Sequence, residues 1–177
     1  MASVVFLRGV NVGGHKVFRP SVLVAALAPL DVVSIGAVGT FVVRGNAGES
    51  RIRSAFRKSL PFDAQLMLCP ARDLVALVDA NPFSDAVSRK ADNHYICVLE
   101  NEPRTPPPLP LYAPEGRDWQ VAITAIHGAF VAALFRRVGP TTLYPNQVVE
   151  KRFGLASTTR GWPTILKVRQ VLADSLD

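Results

Sequence analysis

Between Ser3 and Leu68 the chain alternates short β-branched apolar runs with amphipathic stretches, in an order that few folds accept. Ser3 to Leu7 (Ser-Val-Val-Phe-Leu) is brief, continuous and apolar, so it reads as a buried strand. Pro20 suits the first turn of a helix reaching Ala28, where its missing N–H costs nothing. Val32 to Ala37 and Thr40 to Arg44 read as two strands of a hairpin turning at Gly36 to Gly39. Ser50 is placed to cap a helix to Leu60, with Ile52, Ala55 and Phe56 on one face. Phe62 to Leu68 supplies a fourth strand. Strand, helix, strand, strand, helix, strand is the split βαββαβ, ferredoxin-like order. It carries a geometric demand: strands one and three pair centrally, so Gly9 to Lys16 and Gly36 to Thr40 should be neighbours at one sheet edge.

The remainder echoes this order less fully. Arg72 to Ala80 reads as a helix stopped by Asn81-Pro82-Phe83, because the residue before a proline leaves the helical region. His94 to Leu99 is a strand, and Val121 to Ile126 with Ala129 to Phe135 form a hairpin around His127-Gly128. Between them Glu102 to Pro114 holds six prolines, which exclude a regular helix and leave an extended connection. Helices are expected over Pro145 to Phe153 and Trp162 to Leu172. The expected fold class is α+β: a ferredoxin-like first half over residues 1–90, carrying a glycine loop, packed with a second, related α+β half over 91–177 that ends in basic helices.

Composition narrows the function classes. At 177 residues, 49% hydrophobic and 19% charged, the chain is globular rather than disordered. The charge-free stretch Val22 to Leu30 is far shorter than the roughly 20 apolar residues a spanning helix needs, and no membrane segment is expected. Arg8 interrupts the first apolar run, which argues against a secretory signal and for the cytoplasm. Cys69 and Cys97 lack a CxxC or a neighbouring histidine and read as small buried apolar residues. His94 and His127 are equally isolated, so neither a metal nor a cofactor is expected.

The formal net charge of +6 favours an anionic partner, nucleic acid or a phosphorylated small molecule. From residue 136 on, Arg136, Arg137, Lys151, Arg152, Arg160, Lys167 and Arg169 stand against Glu150, Asp174 and Asp177, so the surplus concentrates in the last quarter.

Two segments carry the candidate chemistry. In Leu7-Arg8-Gly9-Val10-Asn11-Val12-Gly13-Gly14-His15-Lys16 the first strand breaks into a loop of glycine, amide and positive charge. Gly9 and Gly14 have P-loop spacing, but His15 intrudes before Lys16 and Val17 replaces the hydroxyl residue, so the magnesium ligand is missing. No G-x-G-x-x-G is present either. What remains is a loop whose N–H groups can converge on an anion, or one that merely reverses the chain with Asn11 bonding its own backbone. Arg8 needs a ligand or a partner such as Asp31 if it is buried. Ser157-Thr158-Thr159-Arg160-Gly161-Trp162 reads as a cap opening the last helix, with Thr159 and Arg160 as anion contacts or as ordinary capping. Trp162 is read as packing with Ile165 and Leu166 rather than stacking on a base. Glu100 and Glu102 read as solvated loop acids, and no nucleophile constellation appears, so enzymatic activity is left open.

Leu7 to Gly14 resembles the opening motif of bacterial proteins grouped as domain of unknown function 1697. Ser157 to Trp162 with Thr164, Leu166 and Lys167 resembles that family's closing motif, and Asn81-Pro82-Phe83 its middle. The resemblance implies a compact α+β fold and supplies no reaction, cofactor or partner. Members of that family carry Ser-Gly-Asn where this chain has Val38-Gly39-Thr40, and asparagine where it has Gly161. A ligand contact made by those polar residues would be altered here.

The candidate ligand-binding residues are therefore Arg8, Gly9, Asn11, Gly13, Gly14, His15, Lys16, Gly39, Thr159 and Arg160. The leading expectation is a binding module for an anionic ligand. A small-molecule enzyme would use His15 or Lys16 for proton transfer and Arg8 or Arg160 for substrate charge. It requires a concave pocket where the first loop and the Gly39 turn converge. An interaction domain would use Thr105 to Pro110 as a polyproline-like handle.

Overall fold

Two antiparallel sheets and five α-helices make up the computed structural model, which describes residues 1–11 and 13–174. The chain divides into two compact units. One holds residues 1–75 and the C-terminal residues from Leu166 on; the other holds residues 76–165.

In the first unit, strands β1 (Ser3–Leu7), β2 (Val32–Ser34), β3 (Thr40–Val43) and β4 (Leu66–Pro70) lie in the order β2-β3-β1-β4. Helix α1 (Pro20–Ala26) joins β1 to β2, and α2 (Glu49–Ser59) joins β3 to β4. β1 pairs antiparallel with both β3 and β4, which is the split βαββαβ arrangement. One sheet face, with Val5, Leu7, Phe41, Val43 and Leu66, packs under Leu23 and Leu27 of α1 and Ile52 and Phe56 of α2. The other face, with Val4, Phe6, Thr40, Val42 and Met67, is buried as well. Burial on both faces explains why β1 is a continuous apolar run without alternation.

Several boundaries differ from expectation: α1 ends at Ala26 rather than Ala28, and β2 ends at Ser34 rather than Ala37. Gly48 is the N-cap of α2, which leaves Ser50 inside the first turn, with the Glu49 carboxylate at the positive end of the helix dipole. The fourth strand begins at Leu66 rather than Phe62, because the Phe62 ring turns inward to meet Phe18 edge-on at 6.1 Å.

In the second unit, β5 (Asn93–Leu99), β6 (Leu111–Ala113), β7 (Val121–His127), β8 (Phe130–Phe135) and β9 (Ser157–Gly161) lie in the order β6-β7-β8-β5-β9. Without β6, the order β7-β8-β5-β9 repeats that of the first sheet. Val148 and Val149 of helix α4 (Pro145–Phe153) pack on the face formed by Cys97, Leu99, Val121, Ile123, Val131 and Ala133. Helices α3 (Ala71–Asp79) and α5 (Trp162–Ala173) carry the chain between the units.

The proline connection is corrected at its end, where Leu111 to Ala113 pair with β7 as an edge strand. Ser157 to Gly161 is corrected from a helix cap to a strand: its residues pair with β5 from Tyr95 to Leu99, and the helix starts only at Trp162.

Cys69 and Cys97 are buried free thiols, and burial pushes both up to about 12. The unfolded thiols ionise from about 9, so they lose protons where the folded ones keep them, and stability falls as the pH rises from about 9 toward 12. Neither thiol is expected to react with a disulfide reagent at pH 8 until denaturant is added. A Cys69→Ala/Cys97→Ala variant is expected to lose less stability than the native chain between pH 8 and 10 in urea titrations.

Candidate functional site at the glycine-loop edge

The register of the first sheet decides what surrounds the glycine loop. Leu7 ends β1 opposite Leu66, the start of β4, and Phe6 lies opposite Thr40, the start of β3. The loop after β1, the turn before β3 and the connection from α2 to β4 therefore meet at one sheet edge. The Leu7 N–H donates to Gly39 O at 2.7 Å, and the Arg8 N–H donates to Gln65 O at 3.0 Å. The neighbourhood demanded of Gly9 to Lys16 and Gly36 to Thr40 is present.

Asn11 holds this edge in shape. Its Nδ2 donates to Ala37 O at 2.6 Å and to Phe18 O at 3.3 Å, and its Oδ1 accepts the Phe18 N–H at 2.9 Å. Its backbone N–H donates to Lys16 O at 3.3 Å. One side chain thus closes the loop on itself and ties it to the facing turn. Asn11 also takes a φ of 51°, a left-handed conformation that asparagine tolerates better than most residues. Beneath it, Phe18 packs against Phe41 at 6.3 Å and against Phe62.

Lys16 extends to the third segment. Its Nζ donates to Asp63 O at 2.6 Å and lies 5.9 Å from the Phe62 ring centroid. Gly13, Gly14 and His15 are exposed, as is Gly9, while Arg8 is half-buried. The alternative pairing of Arg8 with Asp31 is not formed, because Asp31 lies at the other end of the sheet, where it bonds Arg44 at 2.7 Å.

Gly39 is a packing residue. Its φ is 77°, and a Cβ there would stand 2.7 Å from Val10 Cγ2 and 2.8 Å from Leu7 Cβ. The family's Ser-Gly-Asn position is likewise split: Thr40 is fully buried, whereas Val38 is exposed.

Beside the loop lies a shallow, open recess of about 460 Å³ lined in part by Asn11, Gly14, Val17, Arg19 and Ala37. It lies where the first loop and the 36–39 turn meet, the place at which the enzyme reading asks for a concave pocket. Among the described residues, no group of three or more His, Cys, Asp or Glu is placed to hold a metal ion.

The topology also adds cations that the linear sequence did not single out. α2 runs toward this edge and delivers exposed Arg57 and Lys58, and Arg19 is exposed just before α1. The three segments 8–20, 36–39 and 57–65 carry Arg8, Lys16, Arg19, Arg57 and Lys58 against a single carboxylate, Asp63. The signal available in sequence was the strand order, which fixes where α2 ends.

Thr159 and Arg160 belong to the second unit. Thr159 Oγ1 lies 3.3 Å from Cys97 Sγ, on the α4 side of the sheet. Arg160, only 5% exposed, donates from one guanidinium nitrogen to Thr158 Oγ1 and to Thr159 O, both at 2.8 Å. Burial pulls its pKa down to about 10, so it remains charged at neutral pH. The backbone of this strand bonds β5 and does not form a helix N-terminus open to an anion.

Other basic groups of the last quarter also serve the fold. Arg136 donates to Trp119 O at 3.1 Å and lies 4.3 Å from the Trp119 ring centroid. Lys151 and Arg152 occupy the last turn of α4, where they complement its dipole. Trp162 meets Phe83 edge-on at 5.1 Å, and Leu166 is exposed. In the proline segment Leu109 packs against the second-unit core.

The fold defines a class, α+β proteins built of two antiparallel sheets with the same four-strand order at their centres. The chain belongs to the family described as protein of unknown function (DUF1697), whose profile matches residues 1–125. No curated protein matches it. Among solved structures it is similar to the conserved bacterial protein SP0830 from Streptococcus pneumoniae. That likeness has a TM-score of 0.61 at 15% sequence identity and covers 97% of this chain and 98% of that one, so it concerns the fold alone. Among the described residues no helix is long and apolar enough to cross a membrane.

Asn11→Ala is expected to lower stability by about 2 kcal/mol, since it leaves backbone groups of Phe18 and Ala37 without their partner. Asn11→Asp should cost at least as much, because a carboxylate accepts only and would face the Ala37 and Phe18 carbonyls. Urea unfolding of the two variants checks both.

Proposed function

We propose that this protein is a binding module for a phosphate-bearing anion, held at the glycine-loop edge of the first unit. The observation that carries the reading is the charge balance of segments 8–20, 36–39 and 57–65: Arg8, Lys16 and Arg19 at the loop and Arg57 and Lys58 at the end of α2 stand against Asp63, with Glu49 sharing the α2 surface. Asn11 ties residue 11 to Phe18 and to Ala37 of the facing turn, which favours binding by lowering the ordering an anion must impose there. Exposed Gly13 and Gly14 present no side chain that would hold a ligand away from the backbone. Arg19, Arg57 and Lys58 supply long-range attraction, and Lys16 supplies a charge fixed in position. The cytoplasm is the compartment we assign, since a reducing environment suits the free thiols of Cys69 and Cys97.

Inorganic tripolyphosphate is a suitable probe, because it carries charge and nothing else. At about a hundred times its Kd it should stabilise the fold by about 2.7 kcal/mol, which raises the melting temperature by about 5 to 10 degrees. The stabilisation should shrink with added salt. An Arg19→Glu/Lys58→Glu variant, both sites exposed, should melt near the native temperature without ligand and lose the response. A response that survives the double substitution, or no response at low salt, contradicts the proposal.

A further inference from the structure

The recess beside the glycine loop has a character that charge alone does not explain. Among the residues that line it are the apolar Val17, Pro20 and Ala37 and the polar Arg19 and Ser21. Val17 is 64% exposed, and Val38, which follows Ala37 on the facing turn, is 41% exposed. Apolar side chains exposed on both segments, next to a cluster of cations, leave surface in water that a ligand's own apolar group would cover. The recess, about 460 Å³ and open to solvent, has room for one compact group that it would cover on one side.

We infer that this edge binds a small phosphorylated molecule carrying one compact apolar or flat group, the chemical class of the mononucleotides. The inference rests on the anion reading and narrows it. The phosphate lies toward Arg19, and the apolar group lies in the recess between Val17 and Ala37. A bare polyphosphate leaves the recess empty, and a nucleoside leaves the cations unused. A long polymer held by its backbone phosphates alone makes no use of the apolar wall.

Isothermal titration with adenosine 5′-monophosphate, ribose 5-phosphate, adenosine, tripolyphosphate and a single-stranded decanucleotide tests this. The native chain is compared with Val17→Ser, Ala37→Leu and Arg19→Glu, each altering an exposed residue and each checked for an unchanged melting curve. The nucleotide should bind about tenfold or more tighter than ribose 5-phosphate, as covering one apolar group provides. Ala37→Leu, which fills the recess and spares every cation, should abolish that preference and leave tripolyphosphate binding intact. Val17→Ser should reduce the preference, and Arg19→Glu should weaken every phosphate-bearing ligand.

Equal binding of the nucleotide and ribose 5-phosphate overturns the inference and leaves the anion reading standing. So does tighter binding of the decanucleotide that Ala37→Leu does not change. Failure of tripolyphosphate together with every other ligand overturns both.

Discussion

The amide of Asn11 is the interaction on which the glycine-loop edge depends. Both of its functional atoms are engaged, Oδ1 by the Phe18 N–H and Nδ2 by the carbonyls of Phe18 and Ala37. Because one planar group both accepts and donates, no charged or purely apolar side chain of that size reproduces it. The loop closes over Phe18, whose ring in turn sits between Phe41 and Phe62. A polar contact at the surface is thereby coupled to the hydrophobic core, and the exposed cations are displayed on a surface of fixed shape.

That coupling separates two kinds of residue within one motif. Asn11 and Gly39 are occupied in building the edge, one by hydrogen bonding and the other by the close approach of Val10 and Leu7. His15, Arg19 and the backbone at Gly13 and Gly14 are turned to water. Lys16 does both, since a hydrogen bond to Asp63 O leaves its charge in place. A motif rich in glycine and amide thus divides into a frame and an outward face, and only the outward face is free to recognise a ligand.

Much of the first unit was legible in the sequence because local and long-range signals agree there. Pro20 does open α1, and the glycines between β2 and β3 do mark a turn, so strand order followed. The same order placed the loop against the 36–39 turn. The second unit was less legible. Ser-Thr-Thr-Arg-Gly has the composition of a helix cap, and nothing local shows that Ser157, Thr158 and Arg160 are buried in a strand paired with β5. The charge surplus is read differently once folded: counting along the chain points to the last quarter, where Arg136 and Arg160 hydrogen-bond to backbone and side-chain oxygens of their own unit. Arg57 and Lys58 come to the loop's end of the sheet only through the antiparallel pairing of β1 and β4, a property of the folded sheet and not of any motif.

The central claim is that the anion-binding surface is the edge built around Asn11. Backbone amide chemical shifts recorded while tripolyphosphate is titrated into the ¹⁵N-labelled protein test it most directly. The account predicts that the perturbed amides fall within residues 8–20, 36–39 and 57–65, with α4 and β9 unmoved. Perturbations confined to the basic segments after residue 136, or spread evenly over the surface, would contradict it.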